Sequence, residues 1–138
     1  MDKALNYIAL ARKAGRIELG EDPVGAAARA QHARLVIVAL NASDHTWRRA
    51  LSFVAHTEQI CLRVPFDKDQ LGQSVGRTSL AIAAFTDPAL ALNFVNALPQ
   101  KESYGQIVAH LDERVKRIRQ RQKEAKAHAQ NKVRGKKK

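Results

Sequence analysis

Apolar positions along the chain follow two rhythms. Leu35-Val36-Ile37-Val38-Ala39 and Leu80-Ala81-Ile82-Ala83-Ala84-Phe85 are apolar without a break. Strands of that composition are covered on both faces, as the central strands of α/β sheets are. Ile17-Glu18-Leu19 and Cys61-Leu62-Arg63-Val64 predict two further strands, the second stopped by Pro65. Between the strands the spacing turns helical. Leu5, Ile8 and Ala9 share one face of a first helix, capped by Asp2 and ended near Ala14 by Gly15. In a second helix Asp22 reads as the cap and Pro23 as the first residue, since proline lacks an N–H that would be orphaned there anyway. Ser43 or Asp44 caps a third, whose core stripe is Trp47, Leu51 and Val54, with Arg48 and Arg49 on the solvated side. Asp67 caps a short fourth helix containing Lys68, Leu71, Gly72, Val75 and Gly76. Each glycine inside a helix costs roughly 1 kcal/mol against alanine. Two in one short helix therefore imply that something comes close, either the sheet or a ligand backbone. Thr86-Asp87-Pro88 opens a fifth helix with Leu90, Leu92, Phe94, Val95 and Leu98 apolar, closed by Pro99.

Strands alternating with helices predict a four-stranded mixed, mainly parallel sheet with right-handed crossovers, inside a three-layer α/β/α sandwich. That body spans residues 1–99. An extension over 100–138 follows. It begins with a linker at Pro99-Gln100-Lys101-Glu102, and Ser103 with Gln106 has the spacing of a capping box. Tyr104, Ile107, Val108, Leu111, Val115 and Ile118 then recur at helical spacing. Six apolar positions make a short coiled-coil seam, so the stripe is expected to fold back on the body or dock a protein partner rather than join two copies. Past Ile118 apolar residues nearly vanish, and the segment is expected to be disordered or a frayed helix when free.

Charge sharpens this division. The 138 residues carry a formal net charge of +11. Residues 114–138 hold 12 Lys/Arg and one acid, Glu124, so the first 113 residues hold 12 bases and 12 acids. A balanced body thus carries a cationic tail, which favours a polyanionic partner. The tail candidates for phosphate contact are Arg114, Lys116, Arg117, Arg119, Arg121 and Lys123, followed by Lys126, Lys132, Arg134, Lys136, Lys137 and Lys138. In the body, Arg12, Lys13 and Arg16 cluster at the end of the first helix, where they either complement the helix dipole or contact phosphate beside Gly20.

Catalytic chemistry finds little support. His32, His45, His56, His110 and His128 lack metal-ligand spacing with one another or with Cys61, so no metal and no cofactor is expected. There is no glycine-rich phosphate loop and no Ser or Cys in a nucleophile pattern. The lone Cys61 excludes an internal disulfide and reads as a buried thiol, which fits a reducing compartment. Met1-Asp2-Lys3 leads straight into an amphipathic helix rather than a signal peptide, and no apolar run approaches the ~20 residues of a membrane span. A cytoplasmic protein without a membrane partner is expected.

Several stretches in their order resemble the kink-turn-binding ribosomal protein superfamily of the L-seven-A-e and L-thirty-e type, and are most similar to its small bacterial YlxQ-like members. They are Ala9-Leu10-Ala11-Arg12-Lys13-Ala14-Gly15, Leu19-Gly20-Glu21-Asp22, Ala33 to Ala39, Ala42-Ser43, Leu71-Gly72-Gln73-Ser74-Val75-Gly76-Arg77 and Phe85-Thr86-Asp87. The likeness covers about residues 3–98. It implies a four-stranded α/β/α sandwich and a docking site for RNA at the N-terminus of the second helix. In that family a glycine precedes an Asn, a Glu and a Lys that read tandem G·A pairs. Here Gly20 stands at the glycine, while Asp22 falls at the Asn, Pro23 at the Glu and Ala26 at the Lys. The resemblance also implies a second contact in the loop Arg77-Thr78-Ser79, which meets flipped-out nucleotides, with Asn41 on the same edge. The candidate body site is therefore Gly20, Glu21, Asp22, Asn41, Arg77 and Thr78, flanked by Arg12, Lys13 and Arg16.

These readings predict a non-catalytic RNA-binding protein of ribosomal type. Its partner is rRNA or another structured RNA, with the ribosome a candidate assembly. The alternative is a protein–protein module of the translation or transcription machinery, tethered to nucleic acid by its tail and docked through the Tyr104–Ile118 stripe.

Overall fold

The computed structural model describes the backbone of residues 2–99 and 101–136, and the side chains of 2–99 and 102–129. The elements run α1 (Lys3–Lys13), β1 (Ile17–Leu19), α2 (Glu21–Arg29), β2 (Leu35–Val38), α3 (Asp44–Val54), β3 (Cys61–Arg63), α4 (Lys68–Ser74), β4 (Ile82–Phe85), α5 (Pro88–Asn96), a 3-10 turn (Lys101–Tyr104) and α6 (Gly105–Lys136). The four strands lie in the order β1-β4-β2-β3. The two wholly apolar strands, β2 and β4, are thus the central pair, and every residue of both is buried. α2 and α3 cover one face of the sheet, and α1 packs with α4 and α5 on the other.

The sheet is mixed but mostly antiparallel, not mainly parallel. β2 pairs with β3 in parallel, whereas β4 runs antiparallel to both β1 and β2. The cause is α4. After this seven-residue helix the Leu80 N–H donates to the Lys68 carbonyl at 2.9 Å, so the chain is back at the start of the helix before β4 begins. α4 makes no journey along the sheet, and β4 must start at the end where β3 finished. The 18 residues between Arg63 and Ile82 exceed the dozen or so that a parallel crossover needs, but they fold back on themselves instead of running along the sheet.

Local signals hold at most helix starts. Asp2, Ser43 and Asp87 accept from backbone N–H groups of Ala4, Thr46 and Ala89, and Asp67 with Gln70 forms a full capping box. α2 differs: Gly20 is its N-cap, so Glu21 and Asp22 fill the first turn and Pro23 is the third helical residue. Proline is tolerated there because the first four N–H groups of a helix have no partner within it. The stripe of α3 is also displaced. Ala50 is its buried residue, Trp47, Phe53 and Val54 are half-buried, and Leu51 is exposed. Cys61 is half-buried rather than buried because β3 is an edge strand, and burial pushes its thiol pKa above the ordinary value.

The expected capping box at Ser103 is absent, since Ser103 lies inside the 3-10 turn. The tail takes the helical form: α6 is continuous through Lys136. Its apolar stripe folds back onto the body. Leu111 is fully buried within the main core and Val115 is nearly so, with Tyr104, Ile107 and Val108 packed against that core. Leu111 and Val115 of the stripe are thus used by the chain's own core, while Tyr104, Ile107, Val108 and Ile118 are half-buried. Among the described residues no helix is long and apolar enough to cross a membrane.

Candidate nucleic-acid interface

Strands β1, β2 and β3 finish at the end of the sheet where β4 begins, and backbone hydrogen bonds draw four segments together there. The Gly20 N–H donates to Ile82 O at 3.0 Å, and Ala39 N–H to Ala81 O at 2.9 Å. Leu40 N–H reaches Phe66 O at 2.8 Å. The site is thus braced from the sheet outward before any side chain is considered.

Gly20 has φ +95° and ψ 164°, a region open to glycine and rarely to other residues. That geometry turns the chain abruptly from β1 into α2, and no side chain caps the helix it starts. The first amides of α2 carry the partial positive charge of the helix end and are available to an anion. Glu21 opposes this charge, but it is not alone. Its carboxylate accepts a hydrogen bond from Arg49 Nε at 2.5 Å, and the Arg49 guanidinium lies over the Phe53 ring at 5.0 Å. Arg49 is exposed, as its place off the core stripe implies, and lies beside the edge. Asp22 stays exposed.

Asn41 follows β2 and ties two loops together, its Oδ1 accepting from the Lys68 N–H that opens α4 at 2.9 Å. Its Nδ2 has no hydrogen-bond partner among the described residues. Beside it the Arg63 guanidinium donates to Leu40 O at 3.0 Å and lies over the Trp47 ring at 5.0 Å. Leu40 itself is 55% exposed. Sequence reasoning singled out neither Arg63 nor Leu40. The available signal was a charged residue inside the otherwise apolar run Cys61–Val64, which marks an edge strand.

The loop carrying Arg77 and Thr78 is set by the two glycines that the sequence placed in one helix. Only Gly72 is helical. Gly76, at φ +73°, lies just beyond the C-cap. Its N–H donates to Gln73 O and the Arg77 N–H to Gly72 O, the paired bonds of a Schellman motif. Gly72 then lets the returning loop pass: a Cβ there would sit 2.7 Å from Ser79 N and 2.8 Å from Arg77 O. The close neighbour is the protein's own loop, and both Arg77 and Thr78 are exposed on it.

Gly20, Glu21, Asp22, Asn41, Arg77 and Thr78 thus belong to segments gathered at one end of the sheet. Arg12, Lys13 and Arg16 do not. Arg16 precedes β1, and its carbonyl accepts the Thr86 N–H beyond the far end of β4. Arg12 and Lys13 lie in the last turn of α1, which leads to that same far end. In the tail, Arg114 pairs with Glu58, Lys116 with Asp112 and Arg117 with Glu113. Arg119, Arg121, Lys123 and Lys126 are exposed. The side chains of Lys132, Arg134 and Lys136, and the whole of Lys137 and Lys138, lie outside the described residues.

Fold and edge together define an α/β/α sandwich with a helix N-terminus and two loops presented at one end of a four-stranded sheet. The same fold occurs in a Bacillus halodurans protein described as having unknown function, with a TM-score of 0.65 and 22% identity over 70% of this chain and 97% of that one. It also occurs in the Giardia lamblia 15.5kD RNA binding protein, with a TM-score of 0.58 and 17% identity over 73% of this chain and 86% of that one. No protein-family model and no curated protein matches the sequence.

Proposed function

We propose that the chain is a non-catalytic RNA-binding protein of ribosomal type that docks structured RNA, kink-turn-like or ribosomal, at the edge built by Gly20, Asn41 and Arg77. The observation that carries this reading is the convergence of an uncapped helix N-terminus with the Asn41 and Arg77–Ser79 loops on one end of the sheet. The likeness of the fold to an RNA-binding protein of Giardia supports it. A helix N-terminus offers amides to phosphate, Asn41 Nδ2 offers a donor to a base edge, and Arg77 can stack on an unpaired base.

The edge reads shape more than sequence. Pro23 and Ala26, at the family's base-reading positions, carry no side-chain donor, so tandem G·A pairs are not read there in the family's manner. The basic face of α6 adds sequence-independent phosphate affinity. A partner-docking role for the α6 stripe loses its main surface once Leu111 and Val115 are buried.

The test compares R77A and N41A with the parent chain on a kinked, internally looped RNA and on an unstructured strand of equal length. Loss concentrated on the folded RNA is the expected result. Equal loss on both strands removes the body site, and turnover of any small molecule overturns the non-catalytic assignment.

A further inference from the structure

At the opposite end of the sheet, two cavities meet at one arginine. The first, of about 600 Å³, is lined by Arg34, His56, Glu58, Gln59, His110 and Arg114 among others. The second, of about 510 Å³, runs beside α2 past Pro23, Ala26 and Ala30 to Arg16, His32 and Arg34. Arg34 stands immediately before β2, its own N–H held by Phe85 O at 2.7 Å. Its Nε is buried and has no hydrogen-bond partner. Nor does Arg34 join any ion pair among the described residues. A guanidinium N–H withdrawn from water and left unmatched asks for an acceptor oxygen.

The surroundings select the kind of acceptor. Gln59 makes no bond to it: its Oε1 is turned to the Ala33 N–H at 2.9 Å and its Nε2 donates to Ala28 O at 3.0 Å. Glu58 is committed to Arg114 and is itself 70% exposed, so that pair opens readily to a competing anion. Three guanidinium groups, Arg34, Arg114 and Arg117, face two carboxylates, Glu58 and Glu113, with His56 and His110 alongside, and in the second cavity Arg16 stands with Glu18. The Arg114 pKa is lowered by burial and then by the nearby charges of Arg34, Arg117 and Arg121. Cations from a strand end and from a helix are thus brought together with too little negative charge between them.

We propose that this end of the sheet is a second phosphate site, taking a phosphodiester of bound RNA between Arg34 and Arg114. Arg117 and Arg121 follow Arg114 on one face of α6 at spacings of three and four residues, so successive cations rise by about 4.5 and 6 Å. A repeating anion matches that ladder, whereas a single carboxylate ligand uses only its first rung. The site also accounts for Arg16, which the fold places here rather than beside Gly20. This inference rests on RNA being the ligand of the whole protein, but it uses none of the residues of the Gly20–Arg77 edge.

The test follows the Nε–Hε resonances of Arg34 and Arg114 in the full-length chain, assigned with R34K and R114K. Inorganic phosphate is titrated first, then a ten-nucleotide single-stranded RNA. Both are expected to shift the Arg34 resonance, RNA at lower concentration, with phosphate weakening the RNA response. R34Q should reduce RNA affinity roughly tenfold and lower the salt slope by about one. R77A should leave the Arg34 response to inorganic phosphate unchanged. If RNA binds and shifts the Gly20 and Arg77 amides while Arg34 stays still, the second site is overturned and the edge survives. If phosphate alone moves Arg34, the occupant is a free anion and the RNA assignment fails. R34Q must retain the parent melting profile for its affinity loss to count, and the resonance shifts decide the matter without it.

Discussion

Gly72 lies against the backbone of Ser79 so closely that a β-carbon would approach the Ser79 amide nitrogen to 2.7 Å. Backbone cannot step aside as a long side chain can. Gly72→Ala is therefore expected to lower stability by about 1–3 kcal/mol, the usual range for overpacking, and to displace Arg77 and Thr78. Urea denaturation reads the first effect, and affinity for looped RNA reads the second. An unchanged midpoint would mean that the loop has other ways to run.

The ion pair between Arg49 and Glu21 should matter more to ligand than to stability. Both side chains are well exposed, so its net contribution to folding is small, at most about 1 kcal/mol. Removing Arg49 leaves an uncompensated carboxylate at the helix end that receives phosphate. R49A should weaken RNA binding with little change in melting temperature, and E21Q should strengthen it. A double variant that behaves as the sum of the two singles would show that the pair does not act as a unit.

Deleting residues 119–138 should spare the body, because the last buried position of α6 among the described residues is Val115. If about six phosphates are held by the tail, log K should fall by roughly 4 to 5 for each tenfold rise in salt. The truncated chain should show a flatter slope and similar losses on every RNA. A slope equal to the parent's would place the electrostatic grip elsewhere.

Alkaline titration reports on β3. Burial raises the native Cys61 pKa above its ordinary value of 9.0, so the native thiol holds its proton where the unfolded one has lost it. The stability from this difference is complete below about pH 9 and disappears as pH climbs through the native pKa. C61A should remove that alkaline decline. Alkylation of the native thiol should also be slower than of the unfolded chain, as followed by mass change.

Much of this architecture is written in side-chain pattern. The continuous apolar runs at Leu35 and Leu80 mark central strands because only doubly covered strands can bury every position. Asp2, Asp67 and Asp87 mark helix starts because a cap is a local bond. The direction of β4 is not local. It depends on Leu80 returning to Lys68, a contact that no periodicity records. Asp22-Pro23 imitates a cap followed by a first residue, yet Gly20 takes the cap through its backbone angle alone. Arg16 sits four positions from Gly20 in sequence, but a strand between them sends the two to opposite ends. Arg34 carries no sequence signal of its own, since its significance comes from α6 crossing nearby more than seventy residues later.

Leverage follows from the anchoring of α6. The helix is clamped where Leu111 and Val115 enter the body, every described side chain from Arg119 to Ala129 is exposed, and the backbone runs on to Lys136, about 27 Å beyond Ile118 at the helical rise. A tilt of about 5° at the clamp swings the far tip by about 2 Å over that length. Trimming Leu111 would thus re-aim a distant arm as well as leave a hole, and so link interior packing to where the outermost positive charges can reach.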